Sequence, residues 1–310
     1  MHIVDSLLPV FAIIALGAAL ARTGFFTGEI LNSLTRLAYW VGLPCFLFQK
    51  IATATYAGGP ILQIFKVMVL ATAGSAVVGF LIAVFSRLPR RSVGTFVQAT
   101  FRGNLAFIGL PVVVYSTSGL WGNHASPETM AVLAIAPMVP IYNASSVLIL
   151  LSSQHPLKLR DLKALGVQIL SNPLLISSVA GVGASLLGLA LPGPLSRTLD
   201  LVGQMSLPLA LLSIGGTLAL IQTRGRLLHS FAAALVKVGV TPLLGFFLAS
   251  LFGLGLTATR VALIYLACPT AASSFILADQ LKGDSALAAS AVLTSTLLSV
   301  GSLTVAMLLR

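Results

Sequence analysis

Arg102 stands inside the run FRGNLAFIGLP, which extends from Phe101 to Pro111 with glycines at 103 and 109 and an asparagine at 104. A guanidinium offers a rigid fork of N–H donors that grips a carboxylate through two hydrogen bonds, and its burial in an apolar segment is costly enough to call for an anionic partner. Asn104 can donate and accept, the glycines allow close backbone approach, and Pro111 interrupts the helical ladder of donors. The chemistry this suits is reversible binding of a small carboxylate. Bond-making chemistry finds no support: no HExxH metal site and no Ser-His-Asp arrangement emerges, so the chain is not expected to be an enzyme and no cofactor is implied. A competing reading keeps Arg102 structural, because it lies only nine residues into its span and could reach the interface or packed backbone carbonyls.

A second cluster, ACPTAASS from Ala267 to Ser274, places Pro269 before Thr270, Ser273 and Ser274. A helix broken there would present backbone polar groups and hydroxyls to an ion or substrate rather than to lipid. Asn143, with Pro137 and Pro140 close by, could face the same space or bond another helix. The candidate substrate-binding set is therefore Arg102, Asn104, Pro111, Asn143, Pro269, Thr270, Ser273 and Ser274. Asn172-Pro173 reads mainly as backbone shaping, and Gln204, Ser206 and Ser213 near Pro208 as a further lining wall or helix packing.

The elements that must position these groups are membrane spans. Of 310 residues, 57% are hydrophobic and 8% charged, a balance that suits a bilayer and not a soluble surface. Apolar windows fall at 5–21, 31–49, 61–85, 93–115, 129–151, 162–189, 196–220, 227–250, 258–278 and 285–309. The net charge of +11 is dispersed through the connections, which fits membrane orientation and not nucleic-acid binding. Arg87, Arg90 and Arg91, then Lys158, Arg160 and Lys163, then Arg224 and Arg226 mark connections expected to stay cytoplasmic, which puts both termini in the periplasm. The first apolar run lacks a positive n-region, so it is expected to remain as a helix. Cys45 and Cys268 lie in apolar segments with no metal-ligand spacing and read as packing residues.

Internal similarity suggests how the spans are grouped. Pro9 and Pro173 are 164 positions apart, as are Leu43-Pro44 and Leu207-Pro208; Pro111 and Pro269 are 158 apart. The expected fold is an all-α polytopic membrane protein of ten transmembrane helices in two inverted five-helix repeats, residues 1–155 and 156–310, with broken, crossing fourth and ninth helices. Such halves can expose one central site to alternate sides.

The segments FRGNLAFIGLP at 101–111, NPLLIS at 172–177, ACPTAASSFILADQLKGD at 267–284 and STLLSV at 295–300 resemble the bacterial branch of the auxin efflux carrier family, over essentially the whole chain. That resemblance implies Pro111 and Pro269 at a central crossover and carrier-mediated movement of small organic anions such as malonate, by an elevator-like or related alternating-access cycle in the bacterial inner membrane. Many relatives have an asparagine shortly after the ninth-helix proline where this chain has Ala271, Ala272, Ser273 and Ser274, a departure that leaves the polar partner of the substrate open. Coupling to H+ or Na+ is also open, since no membrane-centred Asp or Glu offers a proton relay. An anion channel or a membrane receptor without carrier activity is the alternative. The expected partners are the bilayer and a small organic anion; small residues on helix faces permit a homodimer.

Overall fold

The structure, a computed structural model, describes residues 2–53, 60–117, 127–154, 163, 166–167, 169–220 and 227–309. The described residues are all helical apart from turns and a single isolated bridge. In chain order the α-helices are α1 (His2–Arg22), α2 (Gly28–Leu37), α3 (Leu43–Ala52), α4 (Ile61–Phe85), α5 (Arg90–Phe101), α6 (Leu110–Thr117), α7 (Pro127–Ser152) and α8 (Pro173–Leu186). They continue with α9 (Gly193–Gln204), α10 (Ser206–Leu220), α11 (Leu227–Leu235), α12 (Thr241–Leu251), α13 (Leu256–Ala267), α14 (Ser273–Gln280) and α15 (Ser285–Leu308). Wider π-helical turns at Ala38–Gly42, Leu105–Gly109 and Val236–Val240 join consecutive helices. Lys158, Arg160, Arg224 and Arg226, on which part of the orientation argument rests, lie outside the described residues.

The helix ends follow from side-chain chemistry. Thr27 caps α2, its hydroxyl accepting from the N–H of Ile30. Asn172 caps α8, accepting from Leu174 and Leu175, with Pro173 at the first helical position where no donor is needed. Asp284 caps α15 by accepting from the N–H of Leu287 at 3.0 Å.

The ten-span inverted repeat does not hold. Among the described residues five helical runs are long and apolar enough to cross a membrane: Ile61–Phe85, Met130–Ser152, Gly193–Leu220, Leu227–Leu251 and Ser285–Leu308. Four more apolar helices, Leu7–Arg22, Leu105–Ser116, Pro173–Leu186 and Leu256–Ala267, are shorter. At about 1.5 Å per residue, a 14-residue helix such as α8 covers about 21 Å of a hydrocarbon layer about 30 Å thick. An apolar window counts residues and is blind to where the hydrogen-bonded ladder stops, so windows 93–115 and 258–278 each merged two helical pieces across a break. The prolines that suggested a repeat also differ in role: Pro9 lies inside α1, whereas Pro173 starts α8. The fold is an all-α polytopic membrane protein with about five long apolar helices, not a clear ten-helix inverted repeat.

The chain forms two compact units, each assembled from three separated segments: Met1–Ile61, Ala106–Val139 and Leu170–Leu220 in the first, Leu62–Leu105, Pro140–Ile169 and Ile221–Arg310 in the second. In the first unit α1 lies along α10, so closely that a Cβ on Gly215 would collide with the carbonyl of Ile14. In the second, α15 packs against α5, α11, α13 and α14, and α12 against α13. Large side chains such as Leu62, Phe80, Phe85, Leu243, Phe247 and Leu297 point outward, an apolar exterior suited to lipid.

Candidate functional site

Two breaks in the helical backbone meet inside the second unit. Helix α5 stops at Phe101, and Arg102 takes φ −74° and ψ 90° while its N–H still bonds the carbonyl of Gln98 at 3.0 Å. Helix α13 stops at Ala267 because Cys268 precedes Pro269, and a residue before proline is driven out of the helical region; Cys268 sits at φ −59°, ψ 145°. The freed backbone groups then pair with each other. Asn104 N–H donates to the carbonyl of Pro269 at 2.8 Å, Ala271 N–H donates to the carbonyl of Arg102 at 2.9 Å, and Gly103 and Thr270 form an antiparallel bridge. This exchange satisfies backbone polar groups that lipid cannot.

Side chains lock the junction. The Thr270 hydroxyl donates to the carbonyl of Ala99 at 2.8 Å, and the Thr270 N–H donates to the Ser295 hydroxyl at 3.0 Å, tying the bridge to α5 and α15. Arg102, only 6% exposed, sends Nη2 to Asn143 Oδ1 on α7 at 2.6 Å. One turn before Arg102 lies Gln98, wholly buried, and neither of its side-chain amide atoms has a hydrogen-bond partner among the described residues. One turn after Asn143 on α7, the Ser146 hydroxyl is likewise buried and without a partner among the described residues, as is that of Ser274 in the first turn of α14. Residues three or four apart share a helix face, so Gln98 with Arg102 and Asn143 with Ser146 form two polar faces in a largely apolar interior. Buried amides and hydroxyls left unpaired cost free energy and mark a place for a polar ligand or water.

The expected residues therefore divide. Arg102, Asn104, Asn143, Pro269, Thr270 and Ser274 belong to the second unit, and Arg102 with Asn143, and Asn104 with Pro269, are bonded directly. Ser273 is exposed at the start of α14. Pro111 is not at a break: it is the second residue of α6, buried in the first unit, and the interruption falls at Arg102–Asn104 instead. Gly103, flanked by polar residues and able to approach another backbone without a Cβ, makes the bridge to Thr270.

Two features escaped the reading of the sequence. Gln98 sat in an ordinary-looking helix, and only its (i, i+4) spacing from Arg102 could have drawn notice. In sequence Lys237 is one charge within an apolar window; its side chain is fully buried and Nζ donates to the carbonyl of Leu266 at 2.6 Å. Nearby, Thr241 donates to the carbonyl of Val236 at 2.9 Å and pairs with the Ser75 hydroxyl at 2.7 Å, joining α12 to α4. Cys45 and Cys268 are free, and among the described residues no group of His, Cys, Asp and Glu could hold a metal ion.

Residues 2–307 match the model of the family described as "Membrane transport protein". A protein of Rhizobium meliloti (strain 1021) provisionally named a malonate transporter is 28% identical over 320 residues, covering 98% of this chain and 94% of that protein. A family match across nearly the whole chain settles the class as transport and not catalysis, and agrees with the resemblance carried by the motifs around Arg102 and Pro269. The chain belongs to the membrane transport protein family of the auxin efflux carriers.

Proposed function

We propose that this membrane transport protein is a secondary carrier of small organic anions and that a substrate carboxylate is held at the paired helix breaks, with Arg102 as its principal contact. The observation that carries the reading is a buried guanidinium, bonded to the neutral Asn143, at the end of a broken helix. No Asp or Glu occurs between Glu29 and Glu128, so the segment around Arg102 brings no carboxylate of its own. The Arg102 fork is suited to grip a visiting carboxylate through two N–H donors, and the Gln98 amide and Ser146 hydroxyl, unpaired among the described residues, offer further polar contacts. A malonate-like dianion is the first substrate to test, since the similar Rhizobium meliloti protein carries that name. Transport by alternating access in a bacterial inner membrane, with both termini on the periplasmic side, completes the reading; Arg87, between α4 and α5, and Arg90 and Arg91, at the start of α5, support that orientation.

Uptake of radiolabelled malonate and a panel of mono- and dicarboxylates into proteoliposomes tests it. Saturable flux with counterflow, reduced at least tenfold in Arg102→Ala, is the expected result. Flux without saturation or counterflow indicates a channel, and anion binding without flux indicates a receptor.

A further inference from the structure

Lys237 stands in the π-helical turn between α11 and α12, and no part of its side chain is exposed. Its Nζ donates to the carbonyl of Leu266, in the last turn of α13, at 2.6 Å. Directly beside it is the other break: a Cβ on Gly103 would stand 3.2 Å from Lys237 Cε and 3.4 Å from Nζ. The helices packed against this turn are α5, α11, α12, α13 and α15. None of them contains Asp or Glu, and the chain has no acidic residue anywhere from Leu201 to Ala278.

An ammonium enclosed, as among the described residues, without a carboxylate is costly, and a leucine would pack the same space without that cost. What the site does offer is the C-terminal end of α13, whose last carbonyls carry partial negative charge. In carriers built on broken helices, such C-terminal ends and unwound carbonyls are where a coupling cation binds. We propose that the Lys237 ammonium is a tethered cation in that position, neutralising the end of α13 beneath the Gly103–Thr270 bridge, so that the carrier works without sodium. The inference depends on the carrier reading only where flux is measured.

The experiment compares wild type, Lys237→Ser and Lys237→Met, all as purified full-length protein. Radiolabelled malonate uptake is measured with Na+ or choline outside the vesicles, and thermal unfolding is followed in parallel against NaCl and choline chloride with no carboxylate present. Wild-type flux is expected to agree within about twofold between the two media, and its Tm to respond equally to both salts. Lys237→Ser, which leaves space and a hydroxyl for an ion, should lose flux about tenfold in choline, recover it in Na+, and gain a saturable Tm increase of a few degrees specific to Na+. Lys237→Met keeps the stem without charge or space, and should lose flux in both media. Wild-type flux that collapses in choline overturns the proposal, as does a folded Lys237→Ser that ignores Na+ in both readouts, or a Lys237→Met that transports normally. Should Lys237→Ser not fold, the wild-type and methionine results still decide. Should wild type move no malonate, the carrier reading loses its first substrate while the Tm comparison still tests the tethered cation.

Discussion

Arg102 Nη2 donates to Asn143 Oδ1 at 2.6 Å, fastening the end of α5 to the middle of α7. The bond fixes the plane of the guanidinium. A charge-assisted bond of this kind contributes about 1.5–3 kcal/mol. In a double-substitution cycle of Arg102→Lys and Asn143→Ala, the two changes should be non-additive in kcat/KM by about 0.5–3 kcal/mol. Additive effects would separate Asn143 from the function of Arg102.

Thr270→Val keeps the shape of the residue and removes the donor to Ala99, leaving that carbonyl short of a buried partner. The expected loss is about 1–3 kcal/mol of stability, read as a lower Tm in detergent. Thr270→Ser, which retains the hydroxyl, should recover most of it.

Gly103 matters through the space it leaves for Lys237. Gly103→Val is expected to destabilise the protein by about 1–3 kcal/mol through overpacking, and combining it with Lys237→Ser should restore part of the loss because the neighbour is shortened. Thermal unfolding of both single variants and the double variant measures this, and strictly additive losses would place the clash elsewhere.

Gln98→Leu substitutes an apolar side chain of similar size for an amide whose two polar atoms have no partner among the described residues. Stability should be unchanged or higher, since replacing an unsatisfied buried polar group is near neutral or favourable. KM for the transported carboxylate should rise at least threefold if the amide faces the substrate. A stability gain with unchanged KM would assign Gln98 to the interior alone.

Asp284→Ala removes the cap of α15, which accepts from Leu287 N–H and from the Ser92 hydroxyl at 2.7 Å. A loss of about 0.5–2 kcal/mol is expected, with the KM of surviving protein unchanged because the cap lies at the far end of α5 from Arg102.

The residues of this chain by themselves determine its class. An excess of apolar residues with few charges leaves a bilayer as the compatible solvent, and an arginine with an asparagine beside it, matched by a Pro-Thr pair far along the chain, marks where polar chemistry interrupts that apolar content. Proline rules also place the break at Cys268–Pro269, because the constraint on the residue before proline is local. The first break is different. Pro111 looked like its cause, yet it sits inside α6, and the interruption at Gly103 exists because the Asn104 N–H and the Arg102 carbonyl find partners at Pro269 and Ala271, more than 160 positions away. No local pattern encodes that exchange. The same holds for the span count, since hydropathy sums side chains while helix length depends on where backbone hydrogen bonds end. Lys237 is the sharpest case: in sequence it is a charge diluted in an apolar window, and only the approach of Leu266 and Gly103 makes it a buried cation, because burial and partnership belong to the packing of distant segments and not to the residue.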